Sequence, residues 1–240
     1  MINVSLIILN YNYQKFLKNC LESCFDQKTK LSFETIFVDD GSQDNSLKVA
    51  KSFKCKNYYI CEQNNSGIEK SANFAFNQSR GEFVVRVDAD DFLHKEYLES
   101  IFQVFKNQIS FVYSNYTVVD PMSKKIKNIN LPQFNKTEIL NRGDFLATGT
   151  MYRKQDIKEL NYYNVNKKNC GLENYELIIK LLLAKKKGFR VNKRLFFLRK
   201  HDKSLTATKQ KKISNYGIKI FNKYNLPKYR LNKFNPTITR

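Results

Sequence analysis

The chain has 240 residues, 42% hydrophobic and 14% aromatic, which is too apolar for intrinsic disorder and long enough for one large domain or two small ones. Its net charge of +20 is lopsided: residues 1–120 hold 13 basic and 15 acidic side chains, residues 121–240 hold 29 and 7. This asymmetry is read as an anionic partner, nucleic acid or the acidic inner face of a membrane, or as solubility alone.

Residues 3–9 (NVSLIIL) form a β-branched apolar run, the pattern of a strand buried on both faces. Apolar positions at Phe16, Leu17, Cys20, Leu21, Cys24 and Phe25 keep a helical period over 14–26. A second buried strand, FETIFVDD at 33–40, ends in two aspartates, and 44–53 reads as a helix capped near Asp44 or Asn45. A short strand follows at 56–61, a helix at 68–79, and after Gly81 the strand EFVVRVDAD. Alternation of this kind predicts an α/β fold with a mostly parallel sheet between helices, and ligands in such sheets bind beyond the carboxyl ends of the strands. The rule gathers Asn10 to Asn12, Asp39 to Ser42, Asn64 to Gly67 and Asp88 to Asp91 on one edge.

Further along, 96–105 reads as a helix and 109–119 as a strand, while 120–145 is polar and carries two prolines, a long connection or a hairpin. The strongest late helix is 172–187, expected to end at Gly188, and a strand follows at 189–200. Residues 209–224 have a moderate helical pattern. Five cysteines make an odd count without metal-ligand spacing, which predicts buried thiols and a reducing, cytoplasmic setting. The N-terminus lacks the basic region of a signal peptide, and no apolar run approaches the roughly 20 residues of a bilayer span, so any membrane attachment is expected to be peripheral, on the inner face.

Two acidic motifs stand out. VDDGSQDNS at 38–46 reads either as an acidic turn with a good helix cap or as a ligand loop, in which one carboxylate accepts from the imide N–H of uracil and its neighbour fixes the turn. DADD at 88–91 crowds three carboxylates behind a buried strand, a costly arrangement that a bound cation offsets. Mn²⁺ or Mg²⁺, which take hard oxygen ligands and substrate phosphates, suit it. A receiver domain carries its acidic pair after the first strand, and a haloacid-dehalogenase-type phosphatase carries D-x-D on the first strand. Neither placement occurs here.

The ordered set VSLIILNYN, FVDDGSQDNS, NNSGIEKSANFAF, SRGEFVVRVDADD, GTMYR, LENYELIIKL and LFFLRKHDKS resembles family 2 glycosyltransferases of the GT-A fold over residues 2–206. The resemblance implies a nucleotide-sugar-binding half at 1–95, an acceptor-binding half at 96–206 and a basic tail at 207–240. It implies an inverting transfer from a nucleotide-diphosphate sugar to a saccharide or lipid-linked acceptor. By position, Asn10 and Tyr11 border the base, Asp39 and Asp40 hold the loop and read uracil, Asp88 faces the ribose or sugar, and Asp90 holds Mn²⁺ or Mg²⁺. His201, with Arg199 nearby, resembles a late segment that approaches the metal or the diphosphate.

The chain also departs from that pattern. Ala72 precedes Asn73 where many relatives place arginine, leaving Lys70 as the substitute cation. The late Glu-Asp pair is Glu173-Asn174, which makes Glu173 the candidate base and Glu176 the next. Asn174 keeps open a catalytically weak sugar-nucleotide-binding protein. A nucleic-acid-binding protein, hinted at by KYNLPKYRLNKF at 223–234, does not account for the carboxylate clusters.

Overall fold

The computed structural model describes residues 2–105, 108–142, 146 and 149–227. All seven residues of β1 (Val4–Asn10) are buried, since β1 lies inside the sheet with α1 (Gln14–Phe25) and α3 (Ile68–Gln78) packed on it. Parallel strands β2 (Phe33–Asp39) and β4 (Phe83–Asp88) flank β1, and β3 (Tyr58–Glu62) lies outside β2, beyond α2 (Ser46–Ser52) in the chain. Asn45 sits at the N-cap of α2 without a capping side chain, while Asp44 accepts from Ser46 N at 2.9 Å.

The second half adds β5 (Phe92–Leu93), α4 (Tyr97–Phe102), β6 (Ile109–Val119), β7 (Lys125–Ile129), α5 (Lys136–Arg142), β8 (Met151–Arg153) and α6 (Lys154–Glu159). The chain continues through α7 (Glu173–Leu183), β9 (Lys187–Arg199), α8 (Leu205–Thr208) and α9 (Gln210–Lys223). Among the described residues nine strands form one sheet in the order β3-β2-β1-β4-β8-β6-β9-β5, with β7 also paired to β6. The three residues of β8 are antiparallel to both β4 and β6, so β6 runs parallel to β4, and β9 runs parallel to β6. Six strands therefore point their carboxyl ends at one rim. The polar segment after 119 resolves into the β6–β7 hairpin and α5.

The predicted boundary after residue 206 falls inside α8, and α9 packs its buried Ile213, Ile220 and Phe221 into the core. The end of the basic segment, 228–240, lies outside the described residues.

Gly188 does not end α7. The helix closes at Lys185, which takes φ +57° while Lys185 N and Lys186 N donate to Leu182 O and Leu181 O at 3.0 and 2.9 Å. These are the bonds of a Schellman end, with lysine in the place that favours glycine. Gly188 sits instead in β9 beneath Phe111, where an added Cβ would lie 2.3 Å from the ring. Lys185→Gly is expected to raise stability by about 1 kcal/mol by relieving the left-handed conformation, and Gly188→Ala to lower it by about 1–3 kcal/mol through overpacking. Urea unfolding of the two variants against the parent checks both signs.

Candidate functional site

At the rim, the end of β2 builds its own loop. Asp39 accepts from Asn10 Nδ2 (2.8 Å), Ser42 Oγ (2.6 Å) and Ser42 N (2.9 Å), locking the turn to the tip of β1. Gly41 makes the turn at φ +77°, where an added Cβ would approach Asn65 N to 2.8 Å. Asp40 faces the next loop: Oδ1 accepts from Ser66 N and Gln63 Nε2, both at 2.8 Å, and Oδ2 from Gly67 N at 2.9 Å. Asp39 thus has the loop-fixing part, and Asp40 lines a cavity of about 280 Å³ at the carboxyl end of the sheet. Asn10 and Tyr11 line it too, Tyr11 with 44% of its surface exposed.

The next wall comes from β4. Arg86 and Asp88 are two apart on a strand and so share a face. The Arg86 guanidinium grips Asp88 with two parallel bonds, Nε–Oδ1 at 2.8 Å and Nη2–Oδ2 at 2.9 Å, and reaches Glu173 Oε1 with Nη1 at 2.7 Å. Arg86 and Glu173 are both buried. Burial opposes the charge on Arg86, but Asp88 and Glu173 outweigh it and hold the guanidinium well above its ordinary pKa. Burial raises the Asp88 carboxyl above its ordinary value, with Arg86 tempering the effect and Asp90 and Glu173 adding to it. Glu173 opens α7, and its Oε2 lies 3.6 Å from Cys170 Sγ.

Asp90 and His201 meet across 111 positions of sequence, Oδ2 to Nε2 at 2.9 Å. The parallel pairing of β9 with β6 brings Arg199 and His201 to the same rim as β4. Ligand atoms of Asp88, Asp90 and Asp91 fall within 4.8 Å of one another. Both Asp88 oxygens are taken by Arg86, and Asp91 Oδ1 accepts from Arg199 N at 2.8 Å. Asp90 with His201 beside it could offer Mn²⁺ or Mg²⁺ a hard carboxylate and one imidazole. Burial and the charges of Asp90, Asp88 and Asp91 push the nearby Tyr13 phenol far up, keeping it protonated at neutral pH.

Other predicted residues have different surroundings. Lys70 is exposed on α3 and is not part of the cavity wall. Arg199 lines the cavity, yet its donors go to Asp90 O, Asn19 Oδ1, the carbonyls of Asp120 and Pro121, and Ser123 Oγ. Glu176 faces away from the cavity and anchors α9, accepting from Lys223 Nζ (2.8 Å), Tyr224 OH and Tyr216 OH (both 3.0 Å). Asn174 accepts from Tyr152 OH at 2.7 Å and donates to Leu146 O at 3.1 Å. Two residues were not predicted: Arg86, whose signal was a charge two before an aspartate in a buried strand, and Glu69. Glu69 accepts from the amides of Asn169 and Cys170 at 2.8 and 2.7 Å, fastening the loop before α7 to α3.

The mixed sheet with helices on its faces and an acidic rim at the strand ends is an α/β domain of the GT-A type, and comparison with known proteins agrees. A TarS fragment from Staphylococcus aureus in complex with UDP-GlcNAc superposes with a TM-score of 0.74 at 20% identity, covering 91% of this chain and 65% of that one. The mannosyltransferase PcManGT of Pyrobaculum calidifontis, in complex with GDP-Man and Mn²⁺, gives 0.71 at 14% identity over 99% of this chain and 68% of its own. By sequence, TarS is 33% identical over 54% of this chain and 22% of its own length, and the putative glycosyltransferase EpsH of Bacillus subtilis is 33% identical over 47% and 33%. This chain thus spans a third or less of those two relatives. The family described as glycosyl transferase family 2 matches residues 5–161, and the chain belongs to it.

Burial pushes the Glu176 carboxyl up, but Lys223, Asn164 and Tyr224 more than reverse this and leave it below its ordinary value. A depressed carboxyl stabilises the fold above its unfolded pKa, and that contribution disappears as pH falls through the lower folded value. Glu176→Gln is expected to cost about 1–3 kcal/mol at neutral pH. In urea titrations the gap between parent and variant should close on acidification through and below the ordinary carboxylate range.

Proposed function

We propose that the protein is an inverting, cation-assisted glycosyltransferase that takes a hexose or N-acetylhexosamine from a UDP-sugar. The acceptor is a saccharide or lipid-linked saccharide in the synthesis of a surface polysaccharide or lipopolysaccharide, met at the anionic inner face of a membrane. The carrying observation is that Asp90 with His201, Asp88 with Arg86, and Glu173 line or border one cavity beside Tyr11 and Asp40. TarS, named for N-acetylglucosaminyl transfer to poly(ribitol phosphate), and PcManGT, with GDP-Man and Mn²⁺, support a nucleotide-sugar donor and a divalent cation. Among the described residues no helix is long and apolar enough to cross a membrane. Three carboxylates on the rim disfavour a nucleic-acid backbone, and KYNLPKYRLNKF runs beyond the described residues.

In this reading Tyr11 stacks on the base and Asp40 Oδ2, with a lone pair beyond its bond to Gly67, accepts from the uracil imide. Asp88, oriented by Arg86, receives ribose or sugar hydroxyls. Asp90 and His201 would hold Mn²⁺ or Mg²⁺, which would supply positive charge against the departing diphosphate. The bond from the anomeric carbon to the diphosphate oxygen breaks, with its electron pair going to that oxygen, as the acceptor oxygen attacks from the opposite face. The acceptor's proton passes to Glu173, and the anomeric configuration inverts. Arg86 orients Glu173 and offsets its repulsion with Asp88.

Glu173→Gln is expected to lower turnover about 10²–10⁴-fold with donor affinity kept, read by UDP release and calorimetry. Asp90→Ala should abolish the Mn²⁺-dependent part of UDP binding, again by calorimetry. A thermal-shift screen of nucleotide sugars with and without Mn²⁺ tests the donor, and no cation-dependent stabilisation by any of them would sink the proposal. The buried Asn174 favours one second reading, a donor-binding protein of low turnover. It predicts that Glu173→Gln leaves UDP release unchanged.

A further inference from the structure

The hairpin between β6 and β7 ends in a turn stiffened from within. Asp120 Oδ1 accepts from Met122 N and Lys124 N, both at 2.8 Å, and Asp120 N donates to Lys124 O at 2.9 Å. The turn's acidic group is thereby folded onto its own backbone. Below it, Arg199 bonds the carbonyls of Asp120 and Pro121 and the hydroxyl of Ser123, while its Nε holds the carbonyl of Asp90 at 2.8 Å. The tip is therefore fixed to the rim that carries Asp90 and His201.

This ordered tip presents Met122, 87% exposed, and Ile126, 50% exposed, with Lys124 and Lys125 exposed between them. A single exposed apolar side chain needs no explanation, but two within five residues of a pinned turn, interleaved with lysines, form an amphipathic edge. Lys127 and Ile129 line the cavity, while Ile126, the extra residue where the β6–β7 register shifts, is half-exposed. We propose that this hairpin docks the protein on an anionic lipid bilayer, with Met122 and Ile126 entering the boundary between headgroups and acyl chains and Lys124 and Lys125 meeting lipid phosphates. Charge complementarity carries the choice of partner: the tip's carboxylate is used internally, and the chain from residue 121 onward holds 29 basic residues against 7 acidic. Docked this way, the cavity mouth stands at the bilayer surface with the wall formed by Lys127 and Ile129 facing inward. The surface itself does not depend on the transfer reading.

The chain has no tryptophan, so Met122→Trp gives a single reporter. Its emission is expected to shift to the blue on phosphatidylglycerol–phosphatidylcholine vesicles at low salt and to stay unshifted on phosphatidylcholine alone. Met122→Asp/Ile126→Asp should lose co-sedimentation with the anionic vesicles by roughly tenfold or more, and Lys124→Ser/Lys125→Ser should weaken it and flatten its salt dependence. UDP binding with Mn²⁺, measured on the same samples, should match the parent, so a failure of donor binding is read apart from a failure of docking. Unshifted Met122→Trp emission on anionic vesicles would overturn the proposal. So would equal co-sedimentation of the parent and the aspartate variant, which would assign vesicle binding to another basic surface, or a dimer that buries the hairpin in place of lipid.

Discussion

The contact on which the rest of the rim depends is the buried guanidinium of Arg86. It bonds Asp88 on its own strand and Glu173 at the start of α7, so one side chain ties the sheet to the helix that closes the cavity. Two carboxylates so placed would repel each other at low dielectric, and the cation between them makes their proximity tolerable. Removing one partner from such a set leaves an uncompensated buried charge, the expensive outcome. The interior near the site is therefore organised by charge as much as by apolar packing. Tyr163, with Arg86 5.8 Å from its ring, completes the enclosure from the loop ahead of α7.

The same economy appears at the other tips. Asp39 and Asp40 are neighbours in sequence, but strand alternation turns them to different loops, one to the turn after β2 and the other to the loop after β3. Glu69 extends the pattern by capping backbone amides a hundred residues away. Asp39, Asp40 and Glu69 thus settle backbone amides of three loops, and those loops hold still because their amides have partners.

Much of this was legible in the sequence because the signals were local. β1, β2 and β4 announced themselves as apolar runs, and the rule that parallel strands place their tips on one edge collected Asn10, Asp40, Asp88 and Asp90 in one cavity. Where the deciding physics is long-range, the sequence was silent. Arg86 looks like an interruption in an apolar strand until Glu173 arrives opposite it. Glu176 has the same spelling as a catalytic acid, and only the docking of α9 shows it bonded to Lys223 and two tyrosines. The three residues of β8 are too short to carry a period, yet they set the direction of everything beyond them. Lys185 adopts the conformation usually left to glycine, so the search for a glycine pointed three residues too late, to a position needed for packing under Phe111.

The pairing of β9 with β6 has a consequence for biosynthesis. His201 reaches Asp90 only after β9 has added to a strand laid down nearly eighty residues earlier, and among the described residues that strand joins β4 through β8. Loop closure over such separations is slow and entropically costly. On the ribosome, a nascent chain that has already formed β1 to β4 still lacks the partner of Asp90 until β9 has emerged from the exit tunnel. Meeting of Asp90 and His201 is thereby coupled to the emergence of β9, and a fragment that stops before it can fold its first strands without completing this part of the rim.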